Sequence, residues 1–354
     1  MRSWNDSVEL PEAVGDELAP LIGASLGEVV LGDQTSVNLF KLAWAGLEHS
    51  GRSVILGDDS NFPSDRYVLA AVASALGGEY REVAVDDLKG PKAEDFAASI
   101  DEKVGLISLS LVSFKSGAVA DLRSITELAH AHGALVLWDL SHAAGAIPVY
   151  LDAARVDLAV GCTYKHLNGG PGSPAFLFVR RDLQGQLQQP IPSWFGHDDM
   201  FAFEGEYRPA PGIRCFTVGT TPIPSLRCVQ AGVELTAKAG IGAIREKSLG
   251  LTELFVRGFD ARLATLGFEL ASPRDPEKRG GHISLRHPEA YGVTQALIRR
   301  GVIPDFRAHG LIRLGVAPLY NSYLDIWDAI EALVSLVEDS EYTSFGPPPK
   351  GCVT

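Results

Sequence analysis

The sequence predicts an α/β fold, in which a mostly parallel sheet is flanked by helices and followed by a smaller α+β domain. Two observations predict this class. The strand-like segments are uninterrupted apolar runs, which is typical of strands covered on both faces. Helical patterns separate these runs, as they do in parallel sheets, where each crossover leaves room for a helix.

The large domain, residues 1–235, is expected to alternate strands with helices. Its strands are short apolar runs, predicted at 28–31, 53–56, 104–111, 134–139, 158–163 and 175–179. Its helices have apolar residues three or four positions apart, predicted at 10–22, 33–47, 64–76 and 122–132. Ser64 and Asp65 can cap the third of these helices.

The second domain is expected over residues 236–345. A long helical stretch spans about 225–266, with Gly240 and Gly242 as expected interruptions. Short strands and helices then follow in mixed order, predicted at 282–285, 293–300, 312–314 and 324–337. Residues 346–354 contain three consecutive prolines and are predicted to form a flexible tail.

Composition restricts the class of protein and its partners. The net charge of −13 is not offset by a basic patch, which argues against nucleic acid. No apolar run approaches the roughly 20 residues that a membrane helix needs, and the N-terminus lacks the apolar region of a signal peptide. The cysteines have no CxxC spacing and are interpreted as free thiols in a reducing cytoplasm: Cys162, Cys215, Cys228 and Cys352.

Two charged residues lie where predicted apolar strands end. Asp139 ends the most apolar strand, and ligands bind at the carboxyl ends of strands in open parallel sheets. A helix cap explains an aspartate there about equally well. Lys165 follows the next strand and precedes the glycine-rich turn 169–172. A lysine in a partly desolvated pocket has a lowered pKa and can form an imine.

A lone lysine is usually a surface residue, but the carboxylate upstream changes the interpretation of Lys165. Enzymes that use pyridoxal 5′-phosphate (PLP) pair the Schiff-base lysine with a carboxylate that binds the pyridine nitrogen. The sequence therefore predicts a PLP site built on Lys165 and Asp139. Its phosphate would lie at the helix that Thr35 and Ser36 open, although an ordinary N-cap explains that pair too. No acidic residue completes a dinucleotide-binding motif after the glycines.

Longer motifs resemble those of the kynureninase family, which has the PLP fold type I of the aspartate aminotransferases. The resemblance covers nearly the whole chain. Its motifs are Thr35–Leu39, Asn61–Asp65, Trp138–Ala143, Thr163–Gly170, Trp194–His197 and Ala317–Ser322. The family normally carries a further N-terminal segment before the part that matches residues 2–5, and we expect this chain to lack it. His166 stands where the family most often has tyrosine.

The resemblance implies a catalytic role for three residues. Lys165 would carry the Schiff base and move the α-proton, Asp139 would keep the pyridine nitrogen protonated, and Tyr164 would serve as the acid. The remaining cofactor contacts are implied for residues around the ring and the phosphate: Thr35, Ser36, Phe62, Asp65, Ser110, His142 and Tyr164. Arg313 would clamp the substrate α-carboxylate, with Arg307 as a competitor and a structural ion pair as the alternative.

The same resemblance implies a homodimer with a shared active site, to which the neighbouring subunit would contribute Trp194 and Thr220. The implied reaction is hydrolysis of L-kynurenine or 3-hydroxykynurenine to anthranilate or 3-hydroxyanthranilate and L-alanine. Two alternatives stay open. One is another fold type I enzyme, such as a cysteine desulfurase or selenocysteine lyase, which needs a cysteine on a mobile loop. The other is a catalytically impaired kynureninase homologue.

Overall fold

The computed structural model describes residues 2–203 and 205–349, with side chains from Ser7 onward, and the chain forms two compact units. The first unit is made of the chain up to Val85 together with 91–112 and 120–241. The second is made of 86–90, 113–119 and the chain from Gly242 onward. The observed boundary therefore lies later than the expected one after residue 235, and the second unit also takes in two short segments from the first half.

Hydrogen bonds explain why residues 113–119 belong to the second unit. The Ser272 hydroxyl donates to the Ser116 carbonyl at 2.6 Å, and the Val119 amide donates to the Lys278 carbonyl at 3.0 Å. These contacts join single residues outside any strand, so they leave no periodic pattern in the sequence.

The first unit is built on a sheet with the strand order β1-β7-β6-β5-β4-β2-β3. Its strands are β1 (Val29–Leu31), β2 (Val54–Asp58), β3 (Glu79–Val83), β4 (Val104–Ser110), β5 (Leu135–Asp139), β6 (Leu158–Gly161) and β7 (Phe176–Val179). The strands from β2 to β6 pair in parallel. β7 pairs antiparallel with both β6 and β1. The predicted mostly parallel α/β sheet is confirmed.

The first unit contains six helices among the described residues, of which the first, second, third and fifth pack on this sheet. They are α1 (Arg2–Leu18), α2 (Thr35–Ser50), α3 (Pro63–Ala75), α4 (Ala93–Phe96), α5 (Leu122–Ala131) and α6 (Ile223–Ala239). The apolar face of α2 lies in the core, where Leu39 and Leu42 are fully buried with Leu106 and Leu158 of the sheet. The first predicted helix ends early, as α1 gives way to a 3-10 turn at Pro20, which has no backbone N–H to donate.

The second unit contains an antiparallel sheet of order β10-β11-β9-β8. Its elements are α7 (Ile241–Gly258), β8 (Glu269–Leu270), β9 (His282–Arg286), α8 (Ala290–Arg299), β10 (Asp305–Arg307), β11 (Leu311–Gly315) and α9 (Tyr323–Glu338). Gly240, with φ of 81°, separates α6 from α7 as the sequence predicts. Gly242, the other expected interruption, does not break a helix, because it lies within α7. The predicted smaller α+β domain is confirmed.

The end of the chain has no regular structure as far as it is described. Residues 346–349 of the predicted tail are exposed, and residues 350–354 lie outside the described part. No helix within residues 2–203 and 205–349 combines the length and apolarity needed to cross a membrane.

Candidate active site

A cavity of about 290 Å³ lies in the first unit, where β5 and β6 end and the antiparallel β7 begins. It is lined by Gln34, Thr35, Ser36, Phe62, Asp65, Asp139, Ser141, His142, Cys162, Tyr164, Lys165, Gly172, Ser173 and Ala175. The cavity brings together most of the predicted site residues. Ser110, Trp194, Thr220 and Arg313 are not among its lining residues.

Asp139 is the last residue of β5, and its side chain is fixed by neighbouring hydrogen-bond donors. Its Oδ1 accepts a hydrogen bond from the Ser141 amide at 2.9 Å, and the Ser110 hydroxyl lies 3.5 Å from its Oδ2. Burial raises the pKa of Asp139, and the hydrogen bonds from Ser141 and the charge of Lys165 oppose this only in part. A protonated nitrogen beside this carboxylate would therefore stabilise its ionised form.

Ser110 lies behind Asp139 rather than in the cavity wall. Its hydroxyl donates to Asn61 Oδ1 at 2.7 Å and so joins the end of β4 to the loop before α3. Asn61 is 4% exposed, and its Nδ2 has no hydrogen-bond partner within the described chain. Asn61 begins the motif Asn61–Asp65, but the sequence predicted no role for it. Ser110 therefore links Asn61 to the surroundings of Asp139.

Asp65 is a second buried carboxyl group in the same cavity. It lies in the first turn of α3, is 3% exposed, and has no partner for Oδ2 within the described chain. Burial raises its pKa well above the ordinary value, the charge of Asp139 raises it further, and Lys165 lowers it. Ionising both buried carboxyl groups beside a single lysine costs free energy, because the two negative charges repel each other and are desolvated. The cavity therefore favours a further hydrogen-bond donor or positive charge.

Lys165 lies on a turn whose backbone is fixed by short hydrogen bonds. The Gly169 amide donates to the Thr163 carbonyl at 2.9 Å, and the Thr163 hydroxyl donates to the Pro174 carbonyl at 2.6 Å. Asn168 has a φ of 57°, a conformation that asparagine tolerates better than most residues. The Lys165 Nζ lies 5.4 Å from the centre of the Tyr164 ring. The turn thus presents the amine and the phenol to one cavity.

His166 follows Lys165 directly and is uncharged at neutral pH. Burial, and then the positive charge of Lys165, lower the pKa of His166 to about 4. The imidazole therefore adds no second positive charge next to the lysine.

The N-terminus of α2 forms the opposite part of the cavity. Thr35 and Ser36 are its first two residues, and Gln34 before them makes no side-chain capping bond. Uncapped amides at a helix N-terminus bind anions such as phosphate. The turn before the helix is fixed by Lys41, which is 1% exposed and donates to Asp33 Oδ2 at 2.7 Å and to the Phe216 carbonyl at 2.8 Å.

Three predicted site residues lie elsewhere. Trp194 lines a separate cavity of about 350 Å³ in the first unit, and its ring packs edge-on against Phe195 with the centroids 4.6 Å apart. Thr220 lines a third cavity of about 320 Å³, which shares Gln34 and Gly172 with the first. Arg313 belongs to the second unit, on β11, where it pairs with Asp305.

Sequence reasoning did not select several residues of the cavity wall, namely Gln34, Ser141, Cys162, Gly172, Ser173 and Ala175. Gln34, Ser141 and Cys162 lie within three positions of a selected residue, so proximity in sequence was the available signal for them. Gly172, Ser173 and Ala175 come later, between the Lys165 turn and β7, and had no such signal.

The positions of the cysteines test the alternative of a cysteine desulfurase or selenocysteine lyase, which needs a cysteine on a mobile loop. Cys162 and Cys215 are buried, and Cys228 is exposed but lies on α6. Burial raises the pKa of the Cys162 thiol, which disfavours the thiolate form. Cys352 lies outside the described residues. Within the described chain, no cysteine lies on an exposed loop.

Sequence comparisons give one consistent result. A family model described as the kynureninase C-terminal domain matches residues 244–333. The kynureninase of Pseudomonas fluorescens is 43% identical over 345 residues, which is 96% of this chain and 82% of the relative. A kynureninase of Burkholderia pseudomallei (strain 1106a) is 42% identical over the same shares of the two chains.

Solved structures share the fold at lower identity. The cysteine desulfurase of Thermococcus onnurineus NA1 is similar with a TM-score of 0.83 and 20% identity, over 95% of this chain and 85% of that one. A C-DES variant with glycine covalently linked to its PLP cofactor also has a TM-score of 0.83 and 20% identity, over 94% and 87% of the two chains. These likenesses place the chain in PLP fold type I.

Proposed function

The chain belongs to the kynureninase family of PLP-dependent hydrolases that cleave a carbon–carbon bond, and we propose that Lys165, Asp139 and Tyr164 carry this reaction. The substrate is a kynurenine, either L-kynurenine or its 3-hydroxy form, and the products are the corresponding anthranilate and L-alanine. One observation carries the assignment of residues. A lysine, a buried carboxyl group and an uncapped helix N-terminus line a single cavity.

The residues around the cavity fit PLP. Asp139, whose pKa is raised by burial, would bind the protonated ring nitrogen, and Phe62 would stack on the ring. The unpartnered Oδ2 of Asp65 leaves room for a donor beside the ring. Thr35 and Ser36 would bind the phosphate at the positive end of α2. When bound, PLP supplies an electron sink for the negative charge that develops at the substrate α-carbon.

Two residues would move protons in this cavity. Lys165 Nζ would take the proton from the substrate α-carbon, since its turn holds the amine at the cavity wall. The Tyr164 hydroxyl would serve as the acid for the later proton transfer, because Tyr164 borders the same space and is half exposed. His142 lines the cavity as well and would lie beside the ring.

We extend the proposal to the assembly and its location. Trp194 and Thr220 do not line the Lys165 cavity of their own chain in the described part, which supports their placement in a partner's site. Phe201 and Phe203 near Trp194 are 49% and 80% exposed, and such apolar surface is typical of an interface. The free thiols among the described cysteines support a cytoplasmic location.

The first experiment locates the covalent PLP–lysine linkage in the purified protein. Borohydride reduction fixes this linkage, and peptide mass spectrometry should find it on Lys165. Lys165→Ala should lose both the linkage and the visible absorption band of bound PLP. The control Lys238→Ala, an exposed lysine on α6, should keep both. A linkage at another lysine would overturn the assignment of Lys165.

The second experiment measures the reaction. Holoenzyme given L-kynurenine should release anthranilate, which is followed by its fluorescence. The ratio of kcat/KM for L-kynurenine and 3-hydroxykynurenine then identifies the preferred ring. A covalent PLP linkage without release of either aryl acid would instead favour a catalytically impaired homologue.

A further inference from the structure

The Asn61 side chain accepts hydrogen bonds from two groups through one oxygen. The Phe62 amide donates to Asn61 Oδ1 at 2.8 Å, and the Ser110 hydroxyl oxygen lies 2.7 Å from the same atom. A backbone N–H can only donate, so the Asn61 atom that faces Phe62 has to be the amide oxygen. The Phe62 amide therefore fixes the orientation of the Asn61 side chain, which is 4% exposed.

The Asn61 oxygen determines where the Ser110 proton lies. An amide oxygen carries no hydrogen, so a contact of 2.7 Å between these two oxygens is favourable only if the Ser110 hydroxyl donates. A serine hydroxyl has a single proton to donate. Ser110 Oγ lies 3.5 Å from Asp139 Oδ2, which is longer than the limit of about 3.0 Å for an O–H···O hydrogen bond. Ser110 therefore gives its proton to Asn61 and none to Asp139.

Asn61 is held in this position by the loop between β2 and α3. The Ser60 amide and hydroxyl both donate to Asp58 Oδ1, at 2.9 and 2.6 Å, and the Asn61 amide donates to the Asp58 carbonyl at 3.4 Å. Asp58 and Ser60 are buried. Asn61, Ser110 and Asp139 all belong to the first unit. These contacts of Asn61 are thus formed within the part of the chain that contains the cavity.

Asp139 keeps an oxygen to which Ser110 does not donate. Its Oδ1 accepts from the Ser141 amide at 2.9 Å, whereas Oδ2 receives no proton from Ser110. Burial raises the pKa of Asp139, and Ser141 and Lys165 lower it more strongly than Ser110 does. A desolvated carboxylate attracts a protonated nitrogen more strongly when fewer donors already stabilise its charge. Asp139 Oδ2 is therefore a stronger acceptor than it would be if the Ser110 proton pointed at it.

We propose that Asn61 is a positioning residue, which holds the Ser110 proton away from Asp139 and thereby keeps Asp139 Oδ2 a strong acceptor for the ring nitrogen of PLP. This inference rests on the proposed function, in which Asp139 binds that nitrogen. Asn61 does not line the cavity. It acts through Ser110, which contacts both Asn61 and the surroundings of Asp139.

Removing the two side chains together distinguishes this role from ordinary packing. In Asn61→Ala the Ser110 hydroxyl loses its acceptor, and Asp139 Oδ2 lies 3.5 Å away as the acceptor to which it can turn. A donor on Oδ2 competes with the ring nitrogen, and one charge-assisted hydrogen bond corresponds to a change of about tenfold in an equilibrium constant. If Asn61 only filled space, removing the Ser110 hydroxyl as well would restore nothing.

The experiment follows the ring nitrogen in holoenzyme prepared with PLP that carries ¹⁵N at that position. The ¹⁵N chemical shift reports whether the nitrogen is protonated, and a pH titration gives its acid dissociation constant. Asn61→Ala should raise this constant about tenfold, whereas Ser110→Ala should leave it within about twofold of the parent value. The double variant should behave as Ser110→Ala does. A double variant shifted as strongly as Asn61→Ala overturns the inference.

Gln184→Ala is the matched control for the loss of a buried amide. Gln184 is 6% exposed, donates to the Gly27 and Val179 carbonyls at 2.9 Å and does not line the cavity. This variant should lower the free energy of unfolding without changing the acid dissociation constant of the ring nitrogen. If it shifts that constant as much as Asn61→Ala does, general destabilisation explains both variants and the inference fails.

Two single variants complete the test. Ser110→Ala does not depend on the folding of an Asn61 variant, and a change of about tenfold in either direction would place the Ser110 proton on Asp139 and overturn the inference. Asp139→Ala tests the proposed function by itself. It should leave the ring nitrogen unprotonated at neutral pH, and a nitrogen that keeps its proton there removes the role assigned to Asp139. A shift in Asp139→Ala without one in Asn61→Ala removes the inference alone.

Discussion

Gly232→Ala tests the packing that supports the Lys165 turn. Gly232 lies within α6, and a Cβ added there would come within 2.2 Å of the Leu167 carbonyl oxygen and 2.9 Å of the Asn168 carbonyl carbon. Both contacted atoms belong to the backbone, so no side-chain rotation relieves the overlap. Either α6 or the turn that carries Lys165 has to move by roughly 1 Å to restore ordinary contact distances.

The expected cost follows from two opposing effects. Overpacking a core costs roughly 1–3 kcal/mol, and a backbone neighbour places this site at the upper end. Replacing glycine by alanine in a helix interior recovers about 1 kcal/mol. We therefore expect Gly232→Ala to lower the free energy of unfolding by about 2 kcal/mol and, because the turn moves, to weaken PLP binding.

Urea unfolding and PLP titration measure these two effects. The control is Gly242→Ala in α7, where no atom of the described chain outside the helix's own backbone lies within 4 Å of the added Cβ. That variant should be as stable as the parent protein or slightly more stable, with unchanged PLP affinity. The reasoning is refuted if Gly232→Ala matches Gly242→Ala in both measurements.

Two further substitutions test buried carboxyl groups. Asp65→Asn should stabilise the PLP-free protein at pH 7. Because the folded-state pKa of Asp65 is raised, its contribution to stability is present below the ordinary pKa of 3.8 and is lost as the pH rises through the folded-state pKa. Urea unfolding from pH 5 to 8 should show a smaller loss of stability in the variant, and an unchanged pH dependence would contradict this. Asp157→Ala should cost about 3 kcal/mol, since this fully buried carboxylate accepts from the Val136 amide at 2.8 Å and pairs with Arg180 at 2.6 Å. Asp182→Ala, which removes the exposed partner of the same arginine, should cost less than about 1 kcal/mol in the same assay, and equal costs would count against the argument from burial.

The strands that the sequence predicted are the buried ones. β2, β6 and β7 are buried along their whole length, so hydrophobicity alone identifies them. β3 was not predicted, because it lies at the edge of the sheet and carries Glu79, Arg81 and Glu82. β8 and β10 were not predicted either, since two or three residues are too few for a periodic pattern.

Part of the site could be predicted for a simple reason. Asp139 ends β5 and Lys165 follows β6, and these two strands are consecutive in the chain and adjacent in the sheet. Consecutive strands are usually neighbours in parallel sheets, so their ends meet at one place. Asp65 reaches the same cavity from the helix after β2, which lies two strands away from β5. The local sequence does not reveal the strand order that brings Asp65 to the cavity. Only the resemblance to a family predicted Asp65 as a site residue.

Buried charges in this chain differ in whether their partners are complete. Lys41 is almost fully buried, but both Asp33 and the distant Phe216 carbonyl accept from its ammonium group, so it is bound as a structural group. Asp65, in contrast, keeps an oxygen without a partner in the described chain. A buried polar atom without a partner costs free energy unless a ligand supplies one. Residue type therefore cannot show whether a buried charge has a complete set of partners, since the difference lies in contacts between residues far apart in the chain.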